Sequence, residues 1–233
     1  MIDSSALNTY LARWAEKKNL SGVSAAIMSR DGLVYSFNFG WRDAASTLPV
    51  GCDTMFGIAS MSKSLTALCA CILASEGRLD LDAPVCDFLP NFSVAGQPRE
   101  AVTVRHLAMH TSGIPPMEPL EWSIAMNSEG RAESEWLTEM KRTAPNKMET
   151  IDDVLDYVAH CGYNTLGAPG EVMSYSNEGY AILSYVIDKA AGMPLEQFMQ
   201  ERIFAPLGMT RSILDNGIDA ARALSGGNIT SLF

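Results

Sequence analysis

No apolar run in this sequence is long enough to cross a bilayer. The longest, residues 65–74, falls far short of the roughly 20 residues a spanning helix needs and is interrupted by Thr66. The opening residues, Met1-Ile-Asp-Ser-Ser-Ala-Leu, lack the basic, apolar and small-residue order of a secretory signal. Positive charge is also scarce. Lys and Arg number 17 against 27 Asp and Glu, a formal net charge of −10, and the pI is near 4.7. Phosphate backbones and anionic headgroups are bound by clustered cations, so nucleic-acid and membrane-surface roles are disfavoured. The five cysteines (Cys52, Cys69, Cys71, Cys86 and Cys161) are odd in number, and none forms a Cys-x-x-Cys pair. A zinc knuckle or dithiol redox centre is thereby excluded. Cys69 and Cys71, two apart in a helical run, point to different faces and read as buried thiols acting as small hydrophobes. A soluble protein of a reducing cytoplasm is the expectation. Repeats, low-complexity tracts and like-charge blocks are lacking too.

What is present is a globular chain: 233 residues, 47% of them hydrophobic, enough for a substantial core. Leu7, Leu11, Trp14 and Ala15 recur at helical spacing over residues 5–20, with Asp3 and Ser4 as available caps. Residues 22–28 and 33–41 flank Arg30-Asp31-Gly32, and Asp-Gly is a strong hairpin signal, so two antiparallel strands are predicted. An isolated hairpin is marginal in water, which means these strands need partners. Beyond Phe56 the pattern turns helical: residues 60–76 ended by Gly77, 151–160, 178–191 and 195–204, with Gly192 and Pro194 between the last two. Residues 115–147, which include Trp122 and Trp136, read as an insertion able to cover a cleft. The final stretch, residues 225–233, begins as a turn and stops abruptly.

Two short motifs carry possible chemistry. In Ser60-Met-Ser-Lys63, positions i and i+3 share a helix face, so a hydroxyl and an amine come within hydrogen-bond reach. A serine hydroxyl is a poor nucleophile until its proton is removed, and a lysine can remove it when desolvation or nearby positive charge lowers its pKa. Taken alone, the pair reads more readily as a helix cap with a solvated lysine, because caps are far more frequent than active sites. Tyr175-Ser-Asn177 supplies a tyrosine able to relay a proton and an asparagine able to grip a substrate amide with donor and acceptor. Alone, it too reads as a cap beside a half-buried tyrosine. His106 and His110, four apart, would suit two metal ligands on one helix face, but Leu107 stands where a His-Glu-x-x-His motif has glutamate, and no third ligand is evident. His110-Thr-Ser-Gly113 is better taken as a helix stop with a turn in which Gly113 permits positive φ. Asn91-Phe-Ser and Asn228-Ile-Thr match glycosylation acceptors by chance. Neither a Gly-x-Ser-x-Gly elbow nor a phosphate-cradling glycine loop occurs.

Five blocks in order extend these motifs: Phe56-Gly-Ile-Ala-Ser-Met-Ser-Lys-Ser-Leu-Thr-Ala, Glu76-Gly-Arg-Leu-Asp-Leu-Asp-Ala-Pro-Val, Val104-Arg-His-Leu-Ala-Met-His-Thr-Ser-Gly-Ile, Pro169-Gly-Glu-Val-Met-Ser-Tyr-Ser-Asn-Glu-Gly-Tyr and Phe204-Ala-Pro-Leu-Gly-Met-Thr. Together they resemble the class C β-lactamase-related serine hydrolases, a family of D-Ala-D-Ala carboxypeptidases, D-aminopeptidases and esterases. The resemblance implies an acylated nucleophile at Ser60, an activating partner at Lys63, a proton relay or base at Tyr175, and a contact from Asn177 to substrate and Lys63. It leaves the base open between Lys63 and Tyr175. The Ser60 backbone N–H would be one oxyanion donor. The family's third motif, Lys-Thr-Gly or a His-x-Gly equivalent after Tyr-x-Asn, is missing. His160-Cys-Gly162 precedes Tyr175 and ends a helix, which makes it a decoy.

The implied fold is α+β and β-lactamase/transpeptidase-like, an antiparallel sheet flanked by helices plus a helical lobe, with the C-terminal strands missing from this chain. Residues 1–58 would form the incomplete α/β lobe, 59–212 the helical lobe, and 213–233 a return segment. The implied function is acyl-enzyme hydrolysis of an amide or ester without metal or organic cofactor; a peptidase or esterase is preferred to a true β-lactamase because a cytoplasmic enzyme would not meet the drug first. The alternative is a catalytically silent relative that binds a ligand or partner in the same cleft. The missing strands point to a second polypeptide, the C-terminal fragment of a precursor nicked after Phe233, as a partner that completes the site.

Overall fold

The computed structural model describes residues 4–43, 45–117, 150–160 and 164–214. The chain divides into two compact units, residues 1–59 with 204–233 and residues 60–203. The expected insertion at 115–147, apart from residues 115–117, and the stretch 225–233 lie outside the described residues, as does Cys161.

In the first unit, helix α1 (Ser4–Lys17) precedes a hairpin of β1 (Gly22–Ser29) and β2 (Gly32–Gly40). The register runs from Gly22 opposite Gly40 to Ser29 opposite Gly32, with an irregularity between Ile27 and Met28. Arg30 and Asp31 make the turn. Gly32 follows at φ 121°, a conformation L side chains rarely adopt. Alternation puts Tyr35 and Phe37 on the buried face of β2. The Tyr35 hydroxyl donates to Asn8 Oδ1 at 2.7 Å, tying the hairpin to α1, whose Ala15 is fully buried.

The second unit is helical. A 3-10 turn, Ala59–Met61, leads into α2 (Ser62–Ser75), so Ser60 lies ahead of the helix rather than at its cap; Met61 takes that position without a side-chain bond. α2 buries Thr66, Cys69, Ala70 and Leu73, the i, i+3, i+4, i+7 stripe of one helix face. The expectation that Cys69 and Cys71 are both buried fails for Cys71, which the same period turns outward. Burial pushes the Cys69 thiol up to about 11. α3 (Val104–Ala108) and α4 (Ile151–His160) follow, then α5 (Asn177–Ala191) and α6 (Leu195–Met199). The helix expected over 195–204 divides here: α6 is five residues long and a π-helical turn, Gln200–Phe204, continues it.

α5 is the centre of this unit and touches α2, α3, α4 and α6. Its Ile182, Leu183, Val186 and Ile187 are all fully buried. Gly192 stops it at φ 67°, and Asp188 Oδ1 then accepts the Leu195 N–H at 2.6 Å to set the start of α6. Arg78 donates to the Ala191 carbonyl at 2.8 Å and pairs with Glu76, which also meets Arg202, so the ends of α2 and α5 are held together. A bidentate Arg105–Asp82 pair at 2.7 and 2.8 Å anchors α3. Among the described residues, no helix is long and apolar enough to cross a membrane.

Candidate active site

Ser60 is exposed in its 3-10 turn, directly after Ala59, whose φ of 46° is a left-handed backbone uncommon outside glycine. One turn on, at the start of α2, Lys63 donates from Nζ to Ser60 Oγ at 3.3 Å. Tyr175 reaches the pair from the loop before α5. Its hydroxyl interacts with the side chains of both Ser60 and Lys63, and Lys63 Nζ lies 5.0 Å from its ring centre. Partial burial works to raise the Tyr175 pKa. The interactions with Lys63 and Ser60, with the lysine's charge, outweigh it and hold the phenol below its ordinary value.

Asn177 is half-buried as the first residue of α5, and its side chain makes no hydrogen bond among the described residues. The structure therefore gathers Ser60, Lys63 and Tyr175 and sets Asn177 one helix start away. Ser176, not Asn177, caps α5: its Oγ accepts the Gly179 N–H at 3.0 Å and donates to the buried Glu178 carboxylate at 3.0 Å.

Tyr175 is delivered by paired loops. Residues 110–113 hydrogen-bond with residues 166–174 through Ser174 N–H to His110 O at 2.7 Å, Gly170 N–H to Thr111 O at 2.8 Å and Leu166 N–H to Gly113 O at 3.0 Å. Gly113, at φ 80°, meets the second loop so closely that a Cβ would lie 2.6 Å from Gly167 O and 2.8 Å from Gln97 Nε2. Only glycine fits both the conformation and the space.

The reading of His110-Thr-Ser-Gly113 as a helix stop with a turn agrees with the structure, and His106 and His110 do not share a helix. α3 ends at Ala108 and His110 turns left-handed at φ 58°, and the two rings take different partners. His106 belongs to a capping box, its Nδ1 accepting the Thr103 N–H at 3.2 Å. His110 goes to the site instead. Its ring centre is 4.5 Å from that of Tyr175 and 4.8 Å from that of Tyr180, and its Nδ1 accepts the Ser176 N–H at 3.1 Å. Desolvation, then the charge of Lys63, lowers its pKa and so favours the neutral imidazole. Tyr180 donates to the Ala108 carbonyl at 2.8 Å and lies 5.6 Å from Lys63 Nζ. Burial, then the neighbouring Tyr175, raises its pKa. Sequence reasoning missed both roles. The adjacency of His110 to a glycine turn was the only signal, and nothing linked Tyr180 to it. Among the described residues, no three His, Cys, Asp or Glu side chains converge as a metal site.

A beta-lactamase family profile matches residues 7–228, nearly the whole chain. The chain belongs to the beta-lactamase family. Penicillin-binding protein 4* of Bacillus subtilis (strain 168) is 30% identical over 210 residues, covering 90% of this chain and 41% of that protein. Esterase EstB of Burkholderia gladioli is 28% identical over 203 residues, 83% of this chain and 47% of the esterase. The octameric penicillin-binding protein homologue from Pyrococcus abyssi superposes with a TM-score of 0.72 at 28% identity, over 90% of this chain and 44% of that one. The fold is accordingly the α+β beta-lactamase/transpeptidase type. The chain spans less than half the length of these relatives, and the comparisons give no support to a second polypeptide carrying the remainder.

Proposed function

We propose that this beta-lactamase family member is a serine hydrolase of the Ser-x-x-Lys and Tyr-x-Asn type, with Ser60 as nucleophile. The observation that carries the proposal is the single network of Ser60 Oγ, Lys63 Nζ at 3.3 Å and the Tyr175 hydroxyl, with Ser60 open to solvent. As Ser60 Oγ attacks the carbonyl carbon of an amide or ester, its proton passes into the Lys63–Tyr175 pair. A lowered pKa makes the Tyr175 phenolate easier to form than that of a free tyrosine, which suits the side chain to relaying this proton. The carbonyl oxygen takes up the negative charge, with the Ser60 backbone N–H as one donor to it. The pair then protonates the departing amine or alcohol, leaving an ester on Ser60. Water, deprotonated by the same pair, cleaves that ester and regenerates the hydroxyl. Asn177, the first residue of α5, is the proposed hydrogen-bonding contact to the substrate amide.

A second oxyanion donor has no candidate among the described residues, so the proposal includes a need for residues beyond these for full activity. The relatives' names span penicillin-binding protein and esterase, and a small amide, peptide or ester is the proposed substrate class, a peptidase or esterase reaction ahead of β-lactam hydrolysis. Fluorophosphonate and β-lactam probes, read by peptide mass spectrometry on the full-length protein, test this reading. A covalent adduct on Ser60, lost in Ser60→Ala, is expected. A folded protein left unlabelled by both probes would replace the enzyme with a catalytically silent binding relative.

A further inference from the structure

Around the proposed site, one ionisable side chain has no place in the chemistry yet is held there by unusual means. His110 adopts a left-handed backbone, which costs a non-glycine residue of order 1 kcal/mol and persists only where surrounding contacts require it. The consequence of that conformation is that the imidazole enters between Tyr175 and Tyr180 while its Nδ1 accepts the Ser176 N–H. Ser176 is the next residue after Tyr175, so a hydrogen bond to its amide fixes the peptide plane from which the Tyr175 side chain leaves. The His110 carbonyl in turn accepts the Ser174 N–H at 2.7 Å. His110 thus grips the backbone on both sides of Tyr175 and packs against its ring.

We infer that His110 is a positioning residue for Tyr175, holding the phenol against Ser60 and Lys63 through the Ser176 amide. This inference rests on the serine-hydrolase reading. It requires a neutral imidazole, because a protonated Nδ1 carries a hydrogen and cannot accept. The ionisable groups facing the ring are Lys63 from α2, Tyr175 from its loop and Tyr180 from α5; the Glu178 carboxylate accepts from Ser176 Oγ. The lysine's charge opposes protonation of the imidazole, and so does the loss of water around it.

Three variants of the full chain separate a gripping role from simple ring packing. Asn at position 110 tolerates the left-handed backbone and presents an acceptor where Nδ1 lies. Phe keeps the ring and loses the acceptor, and Gly keeps the backbone and loses both. Two readouts are taken: the second-order rate of Ser60 labelling by a fluorophosphonate, and the titration of Tyr175 followed by NMR with ring-labelled tyrosine, assigned with Tyr175→Phe. His110→Asn is expected to label within about threefold of wild type and to keep the lowered Tyr175 titration. His110→Phe and His110→Gly are expected to label about 100-fold more slowly, the cost of a misplaced reacting group, with Tyr175 titrating nearer 10. If His110→Phe fails to fold by circular dichroism, His110→Gly carries the comparison. Equal labelling and equal titration in wild type, Phe and Gly would overturn the inference, and so would a loss in Asn as large as in Phe. An unlabelled wild type would remove the hydrolase reading, while the Tyr175 titration would still report whether His110 sets its position.

Discussion

At Lys63 two separate kinds of contact meet. Its Nζ donates to Ser60 within α2's entry and lies over the faces of Tyr175 and Tyr180, at 5.0 and 5.6 Å from their centres, where a cation is attracted by the ring quadrupole. Lys63→Ala removes the amine from a partly exposed position and creates little cavity. Labelling of Ser60 is therefore expected to disappear while the thermal midpoint moves by only a few degrees, measured by probe mass spectrometry and calorimetry on one preparation. Labelling that stays within about tenfold of wild type, ~1.4 kcal/mol in barrier terms, would show that Lys63 is not the activating group. The Ser60–Lys63 relation was legible in the sequence because i, i+3 is a local geometry. Tyr175 was placed there by family resemblance, since no local rule connects residues so distant in the chain.

Among the elements, α5 links stability to the site. Its apolar face fills the centre of the helical unit, and its N-terminus begins at the residue that follows Tyr175 and Ser176. Ser176→Ala removes both the cap to Gly179 and the bond to buried Glu178. A loss of about 1–2 kcal/mol in urea unfolding is expected, at or above an ordinary N-cap. Ser176→Thr keeps the oxygen and should recover most of it. Equal stability of Ser176→Ala and wild type would show that the helix start is held by the paired loops alone. The length and apolar stripe of α5 could be read from sequence; its start could be read only to within a residue, because Ser176 and Asn177 are both good caps.

For the whole molecule, acid should act in two stages. His110 has a lowered pKa in the fold, chiefly through desolvation, so the unfolded chain binds its proton more readily. The stability this contributes is fully present above the unfolded value of about 6.5. It declines as the pH falls from there through the folded value. Glu76, held low by Arg202, and Asp82, held low by Arg105, contribute stability that is present above their ordinary values and lost as the pH drops below them. Both carboxylates are exposed, so each effect is small. Asp188 works the other way: burial raises its pKa, and protonation there favours the fold as the pH falls. A thermal midpoint measured from pH 8 to pH 3 should be level above about 6.5, fall gently below it, and fall again in the carboxylate range. His110→Asn should erase the first fall alone. A first fall that survives in that variant would assign it to another group.

Sequence by itself determined the order and kind of most elements. Helix and strand periods are local, and turn residues such as Gly32, Gly113 and Gly192 announce the backbone they require. It also determined the Ser60–Lys63 pair and, through five ordered blocks, the family. Tertiary structure alone decided that Ser60 precedes α2 rather than capping it. It also decided that His110, Tyr175 and Tyr180 close around Lys63. The physical reason is that these last relations arise where residues 110–113 pair with residues 166–174. Such pairing depends on which loops the packed helices bring together, and no periodicity along the chain encodes it.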